Sequence, residues 1–576
     1  MNASKPALKI AIVGGGPAGL FLYKQFVETL SENYVVHIFE AGTELGRGLP
    51  YSHKGADKEH ITNVSGNEIP ELVTPILEWM KNLPVEMVSK YGIDIKRFSD
   101  YKVFPRLLFG EYLNSQFNLL LEKSEKAGIE TVLHLGCTVT NITDAPARKK
   151  IQIALAGKDI LEFDHVVVCT GHKWPLTHEK KIAGFFDSPY PPAKLSMQLN
   201  HEVALKGSSL TAIDAIRTLA RQHGRFTWTS AGKLSFIPNQ EADRFKIIMY
   251  SLNGLLPGVR FHLDDPHLSN DGLLTDAEIA DHMKSNGGFL SLDFIFDKDF
   301  KALLKEKDPT YYAHIKDMRM EEFVDELMSK RERTDPFVLF KQEYDEANKS
   351  IRKRESVHWK ELLAVLSFAM NYPAKHLSAE DMLRLKKVLM PLISIVIAFV
   401  PQSSCEELIA MHDAGRLDLI AVGPNSYIEV NDQEEIVYHH TDEAGIPHAK
   451  VYKTYINCTG QPHLSLKQFP FSGLVKDGVL TPAQLAFRST ESAVASIKSG
   501  NDDIQQKEEG FYLTVPGVTI NDSFRAVDKY GHSNPRVYIM AVPYIGGYNP
   551  DYSGLDFCEE AAGRITRDIC GQAAAH

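Results

Sequence analysis

The stretch from Leu8 to Leu30, LKIAIVGGGPAGLFLYKQFVETL, constrains the fold of this chain more than any other. An apolar run rich in β-branched residues leads into Gly14-x-Gly16-x-x-Gly19, and apolar residues then recur at helical spacing. The order predicts strand, glycine turn and helix. Gly14 permits the tight turn. Gly16, followed by Pro17 and Ala18, leaves backbone N–H groups open to a pyrophosphate, and Gly19 lets the helix pack closely on the strand. The helix N-terminus then faces the phosphates. The next apolar run, YVVHIF, ends just before Glu40, where an acid reaches ribose hydroxyls. The unit reads as a dinucleotide site, for NAD or FAD.

Two later stretches favour FAD. FDHVVVCTGHKWP (163–175) is an apolar strand ending in Thr170-Gly171, and VYKTYINCTGQP (451–462) repeats the pattern with Thr459-Gly460. Such ends recur in two-domain flavoproteins, where the chain crosses between domains near the cofactor. GCTVTNI (136–142) is similar to the strand that meets the adenine in those folds, near Val139.

IFEAGTELGRGLPYS (38–52), HITNV (60–64) and VFPRLLFGEYL (103–113) carry a closer likeness. They contain Gly46-Arg47-Gly48-x-x-Tyr51-Ser52, Asn63-Val64 and Pro105-Arg106-x-x-x-Gly110-x-Tyr112-Leu113, with Thr62 where the pattern has leucine. Over about the first 175 residues the chain resembles the FAD-NAD(P)-binding family that includes FAD-dependent urate hydroxylase-like proteins and flavin-dependent aspartate N-monooxygenases. Arg47 and Arg106 read either as partners of the cofactor, since guanidinium forks match phosphate oxygens, or as ion-pairing arginines, and the first is preferred. Asn63 reads equally as a flavin contact or a turn cap. Near the C-terminus, RVYIMAVPYIGGYNPDYSGLDFCEEAAGRITRDI (536–569) reads as strand, Gly546-Gly547 loop and closing helix from about Ser553. In glutathione-reductase-like flavoproteins the last helix aims its positive end at the flavin. Gly546, Gly547 and Leu555 are therefore expected at the cofactor.

The resemblance also implies a second Rossmann-type unit, for NADPH or NADH. Its turn in the family reads Gly-x-Gly-Leu-Thr-Ala-x-Asp; here it is Gly207-Ser208-Ser209-Leu210-Thr211-Ala212-Ile213-Asp214, with serine for the second glycine. Serine adds a Cβ where backbone meets phosphate, although its hydroxyl can donate to a phosphate oxygen. Leu252 stands where the family has arginine, with Arg225, Arg244 and Lys246 as substitutes close in sequence.

A chain of 576 residues holds two or three domains. The expected class is α/β: a two-dinucleotide-binding-domain flavoprotein with a glutathione-reductase-like FAD domain, both units Rossmann-type, and a helical insert. The boundaries read 1–175 and 463–576 for the FAD domain, 176–260 and 401–462 for the second domain, and 261–400 for the insert, covering the substrate side. LTDAEIADHMKS (274–285) opens with a Thr-x-x-Glu helix signal, VLMPLISIVIAFVP (388–401) reads as a buried helix, and SGNDDIQQKEEG (499–510) as an exposed loop. His439, His440 and His448 fit a polar hairpin better than a metal site.

The net charge of −11 argues against a general nucleic-acid partner, and no run is long enough to span a bilayer. Six scattered cysteines without a Cys-x-x-Cys pair point to a reducing, cytoplasmic setting. With no hydrolytic triad, P-loop or zinc spacing, the chemistry belongs to the flavin, and no catalytic side chain stands out. The resemblance implies an FAD-dependent, NAD(P)H-using monooxygenase that hydroxylates a small polar metabolite with O₂, with nitrogen as one target, through a C4a-hydroperoxyflavin. The alternatives are a dehydrogenase or oxidase reduced directly by its substrate, with a degenerate nicotinamide site, and a non-enzymatic flavin module. A homo-oligomer is compatible with each.

Overall fold

The computed structural model describes residues 7–30, 33–94, 98–157, 160–264, 273–550 and 554–575. In chain order, Leu8–Val13 (β1), Tyr34–Glu40 (β2), Glu130–Leu135 (β3) and His165–Val168 (β4) enter a first sheet. Phe185–Phe186 (β5), Glu202–Lys206 (β6), Lys246–Ser251 (β7), Leu417–Ala421 (β8) and Thr454–Asn457 (β9) form a second. Arg525–Val527 (β10) and Ser533–Ile539 (β11) return to the first. The orders are β10-β11-β4-β1-β2-β3 and β5-β9-β6-β7-β8, parallel throughout except for β10 against β11. Ile10, Ala11 and Ile12 of β1 and Val166–Val168 of β4 are wholly buried, because a parallel strand is covered on both faces. That is why these strands read as unbroken apolar runs.

β1 of the first sheet and β6 of the second each feed a helix, Pro17–Thr29 (α1) and Leu210–His223 (α2). Between β7 and β8 the chain is largely helical, including His358–Ala369 (α3). The Thr-x-x-Glu signal holds: Thr275 accepts from the Glu278 N–H and the Glu278 carboxylate accepts from the Thr275 N–H, opening the helix Asp276–Ser285. The apolar run at 388–401 contains the helix Met390–Val396, with Leu392, Ile393 and Val396 buried. The insert shares the cores of both units. Phe296, Leu366 and Met382 join the core of the first sheet, while Phe337 and Phe340 join that of the second.

The C-terminal helix Leu555–Ala575 (α4) lies along α1, where Lys24 pairs with Glu559 at 2.8 Å. Ser553, where the sequence places the start of this helix, lies outside the described residues. The exposed loop expected at 499–510 is corrected in part: Ile504–Lys507 is an edge strand, antiparallel to Gly510–Val518. Its polar composition reflects side chains turned to solvent on an edge, and the ladder is made by the backbone. The histidine stretch forms the antiparallel pair Ile436–Thr441 and Pro447–Tyr452, with His439 on Glu429 and His448 on Asp442. Among the described residues no helix is long and apolar enough to cross a membrane.

Candidate functional site

The three glycines of the first turn have three distinct jobs. Gly14 sits at φ +117°, and a Cβ on it would lie 2.6 Å from the Cys169 carbonyl oxygen at the end of β4. A Cβ on Gly19 would lie 2.2 Å from the Gly14 carbonyl oxygen, so helix and turn are in contact. Gly16, at φ −77°, has an ordinary conformation; its Cβ would point at Gly48, 3.2 Å from the Cα. Gly14 and Gly19 therefore serve chain packing, and Gly16 keeps a cradle open. Glu40 ties the turn down: one carboxylate oxygen accepts from Gly15 N–H at 2.9 Å and the other from Gly42 N–H at 2.7 Å. Each oxygen retains a lone pair for a further donor.

In front of this turn lies a cavity of about 740 Å³, within the size range of small-molecule and cofactor sites. Gly14, Gly16, Pro17, Ala18, Glu40, Arg47, Asn63, Thr170, Gly171 and Leu555 all line it. The first turn of α1, which carries no acidic residue, faces it with N–H groups. The Thr170 hydroxyl and Arg47 Nε are buried without a partner in the protein. Two orphaned polar atoms, an open glycine cradle and a helix N-terminus fit a phosphate-bearing dinucleotide. Arg47 is shared: it also pairs with Glu111 at 2.6 Å and Glu44 at 3.1 Å. Leu555 opens α4 at the cavity wall, with Asp556 in the same first turn.

Local motifs did not point to several other wall residues. Ala364 of α3, Ile397 and Phe399 close the cavity from the insert, and His172 closes it just beyond Thr170-Gly171. Burial lowers the pKa of His172, against a hydrogen bond with Gln461. The insert residues are apolar members of helical patterns, and nothing in their spacing separates a cavity wall from ordinary core.

Four expected cofactor residues lie elsewhere. Arg106 turns away from the cavity and forks onto Asp214 of α2, at 2.6 and 3.2 Å, with its Nε on the Ile61 carbonyl at 3.1 Å. Tyr190 also donates to Asp214 at 2.6 Å, His60 approaches the Asp214 carbonyl at 3.2 Å, and Thr218 donates to Glu59 at 2.6 Å. Arg106 is thus the first unit's half of a buried bolt to α2. Gly546 and Gly547 allow close approach, but to His463 and to the Pro516 carbonyl, where a Cβ would come within 1.9 and 2.3 Å. Val139 pairs with Leu155 in a separate three-stranded sheet and is absent from the cavity wall.

The second unit repeats the first turn. Gly207 sits at φ +112°, and its Cβ would lie 2.6 Å from the Cys458 carbonyl oxygen at the end of β9. Ser208 donates to the Leu255 carbonyl at 2.7 Å, fixing the loop after β7, and exposed Ser209 is the N-cap of α2. Thr211 stands beside Gly460, its Oγ1 3.8 Å from a Cβ placed there. The proposed basic substitutes do not reach this end. Lys246 begins β7 and pairs with Asp418, Arg244 precedes it, and Arg225 lies beyond the far end of α2. The turn lies at the strands' carboxyl ends, so these cations are on the wrong side of the sheet.

The two chain crossings are fastened together. Trp174 donates from Nε1 to the Gly460 carbonyl at 3.2 Å, and Gln461 donates to the Lys173 carbonyl at 2.9 Å.

Comparison with known proteins agrees with this geometry at the level of the domain. Residues 11–173 match the family model described as FAD-NAD(P)-binding, as the sequence resemblance implied, and residues 275–397 match the YdhS-like middle domain. The N-terminal part is an FAD-NAD(P)-binding domain. The protein YdhS of Escherichia coli (strain K12) is 26% identical over 568 residues, covering 97% of both chains. Among solved structures, the ornithine N-hydroxylase of Kutzneria sp. 744 is 12% identical with a TM-score of 0.43, covering 99% of this chain and all of that one. The cadaverine monooxygenase DfoA of Erwinia amylovora is also 12% identical with a TM-score of 0.43, covering 98% of this chain and 95% of its own.

Proposed function

We propose that this chain is an FAD-dependent oxidoreductase that draws electrons from NADH or NADPH and inserts oxygen from O₂ into a small polar metabolite, with a nucleophilic nitrogen as the favoured acceptor. The observation that carries the two-nucleotide reading is the repeated turn. Gly14 and Gly207 adopt the same left-handed backbone, each 2.6 Å (as Cβ) from the carbonyl that ends the neighbouring strand. A chain that took electrons directly from substrate would have no need of the second copy.

In the first unit, the Gly14–Ala18 turn would hold the pyrophosphate, Glu40 the ribose, and Arg47 and Thr170 the remaining polar edge. Bound flavin supplies hydride acceptance and, once reduced, oxygen transfer. Ala364, Ile397 and Phe399 would exclude water from the reacting end of the cavity, which protects a reduced cofactor from side reactions. The enzyme would work in the cytoplasm without a nucleic-acid partner, consistent with its charge of −11. Val542 and Met540, which follow β11, complete the wall in place of Gly546 and Gly547.

Direct reduction by substrate is the second reading, and Ser209 favours it, since it puts a side chain where Gly16 has none. One experiment separates the two. The visible flavin band is followed anaerobically as NADH and NADPH are added separately to the purified protein, and O₂ uptake is then measured with small amines. Bleaching by either nucleotide, with amine-dependent O₂ uptake, supports the monooxygenase. Bleaching by an amine alone, with neither nucleotide effective, replaces it with the dehydrogenase.

A further inference from the structure

The two units correspond residue by residue, because the same backbone bonds close both turns. Gly14 N–H donates to the Phe39 carbonyl at 2.9 Å, and Gly207 N–H to the Tyr250 carbonyl at 2.7 Å. Cys169 N–H donates to Val13 and Cys458 N–H to Lys206, at 2.9 and 2.8 Å. The strand registers agree: Val13 lies opposite Phe39, and Lys206 opposite Tyr250. Glu40 therefore corresponds to Ser251, Ala41 to Leu252 and Gly42 to Asn253.

This position distinguishes the two nicotinamide dinucleotides, which differ by a phosphate on the adenosine ribose. A carboxylate here accepts from the free hydroxyls and repels the phosphate, whereas an adjacent arginine grips the phosphate. The second unit has neither. Ser251 is neutral, and its hydroxyl is buried without a partner in the protein. Leu252 follows it, 66% exposed and uncharged. A lone hydroxyl can bond either a ribose hydroxyl or a phosphate oxygen. None of these three positions carries a carboxylate to repel the phosphate or a cation to reward it.

We infer that the second unit binds NAD and NADP with affinities within about tenfold of each other, and that Ser251 and Leu252 set the balance. The inference rests on the nicotinamide role proposed for this unit.

The test is calorimetric titration of the FAD-loaded full-length protein with NAD⁺ and NADP⁺ separately, so that binding is read without turnover. The wild type should bind both, with dissociation constants less than about tenfold apart. Ser251→Asp should weaken NADP⁺ by more than about tenfold while sparing NAD⁺, and Leu252→Arg, at an exposed position, should strengthen NADP⁺ by at least about tenfold. A wild-type preference above about tenfold, binding of only one nucleotide, or an unchanged ratio in both variants overturns the inference and leaves the nicotinamide role standing. Binding of neither nucleotide by the wild type removes the nicotinamide role and the inference with it.

Discussion

Arg106 gives the sharpest test of this structure, because the sequence and the fold assign it opposite roles. As a cofactor ligand, its loss should weaken FAD binding and leave the apo-protein about as stable as before. In the structure the reverse holds. Its guanidinium is buried, with a side chain 16% exposed against an Asp214 side chain 6% exposed, and Asp214 takes three hydrogen bonds from Arg106 and Tyr190. Removing one member of a buried ion pair leaves the other uncompensated, at a cost of about 3–5 kcal/mol. Asp214→Ala and Arg106→Met should each cost the apo-protein about that much in urea unfolding. The double variant should cost clearly less than their sum, because the second substitution removes the charge stranded by the first.

Acidity gives a second readout of the same pair. Burial alone would raise the pKa of Asp214, but Arg106, His60 and Tyr190 outweigh it and hold the carboxyl below its ordinary value. A depressed carboxyl stabilises the fold above its unfolded pKa, near 4, and loses that contribution as pH falls through the folded value. Asp214→Asn should therefore flatten the acid limb of the stability curve below about pH 4 and lower its plateau. If Arg106→Met costs the apo-protein less than about 1 kcal/mol while FAD affinity falls more than about tenfold, the bolt is refuted and the cofactor role restored.

Three further outcomes follow from single positions. Gly16→Ala keeps an allowed φ of −77° but puts a methyl 3.2 Å from the Gly48 Cα at the N-cap of α1; apo stability should fall by about 1 kcal/mol, while titration shows FAD affinity falling by about tenfold or more. Gly207→Ala meets both a φ of +112° and the Cys458 carbonyl oxygen at 2.6 Å; it should lower thermal stability by about 2 kcal/mol or more, with FAD content retained when folded. Asp299 is 1% exposed and its pKa is raised to about 7 by burial, against the Leu274 N–H it accepts. Its ionisation opposes folding from about pH 4 upward, so Asp299→Asn should be stabilising above pH 7, by at most about 4 kcal/mol, and neutral near pH 4.

What the sequence revealed was what its neighbours in sequence decide. Gly14, Gly16, Gly19 and Glu40 work within one strand–turn–helix–strand unit, so spacing alone located them on the cavity or its support. The Thr275 cap is equally local. Arg106 and Asp214 are 108 positions apart, and an arginine in a Pro-Arg turn looks the same whether it meets a phosphate or a distant carboxylate. Gly546 and Gly547, expected at the cofactor, are points of close approach to His463 and Pro516 instead, and a glycine does not encode its neighbour's identity. The strand at 504–507 has no signature in the sequence, because an edge with solvent on its side chains needs no apolar alternation.

The two glycine turns lie on separate sheets, and the chain crossings bring them together. Gly171 and Trp174 follow the carboxyl end of β4, and Gly460 and Gln461 follow the carboxyl end of β9. The bonds from Trp174 to Gly460 and from Gln461 to Lys173 bring those two ends to one seam. Gly14 abuts the last residues of β4's exit and Gly207 those of β9's, so both nucleotide turns open toward that same seam. Parallel sheets bind ligands beyond their carboxyl ends. A dinucleotide on each turn would therefore direct its reactive half into a shared space, and the Arg106–Asp214 bolt adjoins the seam, because Tyr190 donates to Asp214 and packs on Trp174 with ring centroids 5.3 Å apart. Loosening the bolt without unfolding the chain, as Arg106→Lys should do by losing the second arm of the fork, is expected to slow flavin reduction by nicotinamide while leaving reduction by dithionite unchanged. Equal slowing of both would place the defect at the flavin and break the link between the bolt and the seam.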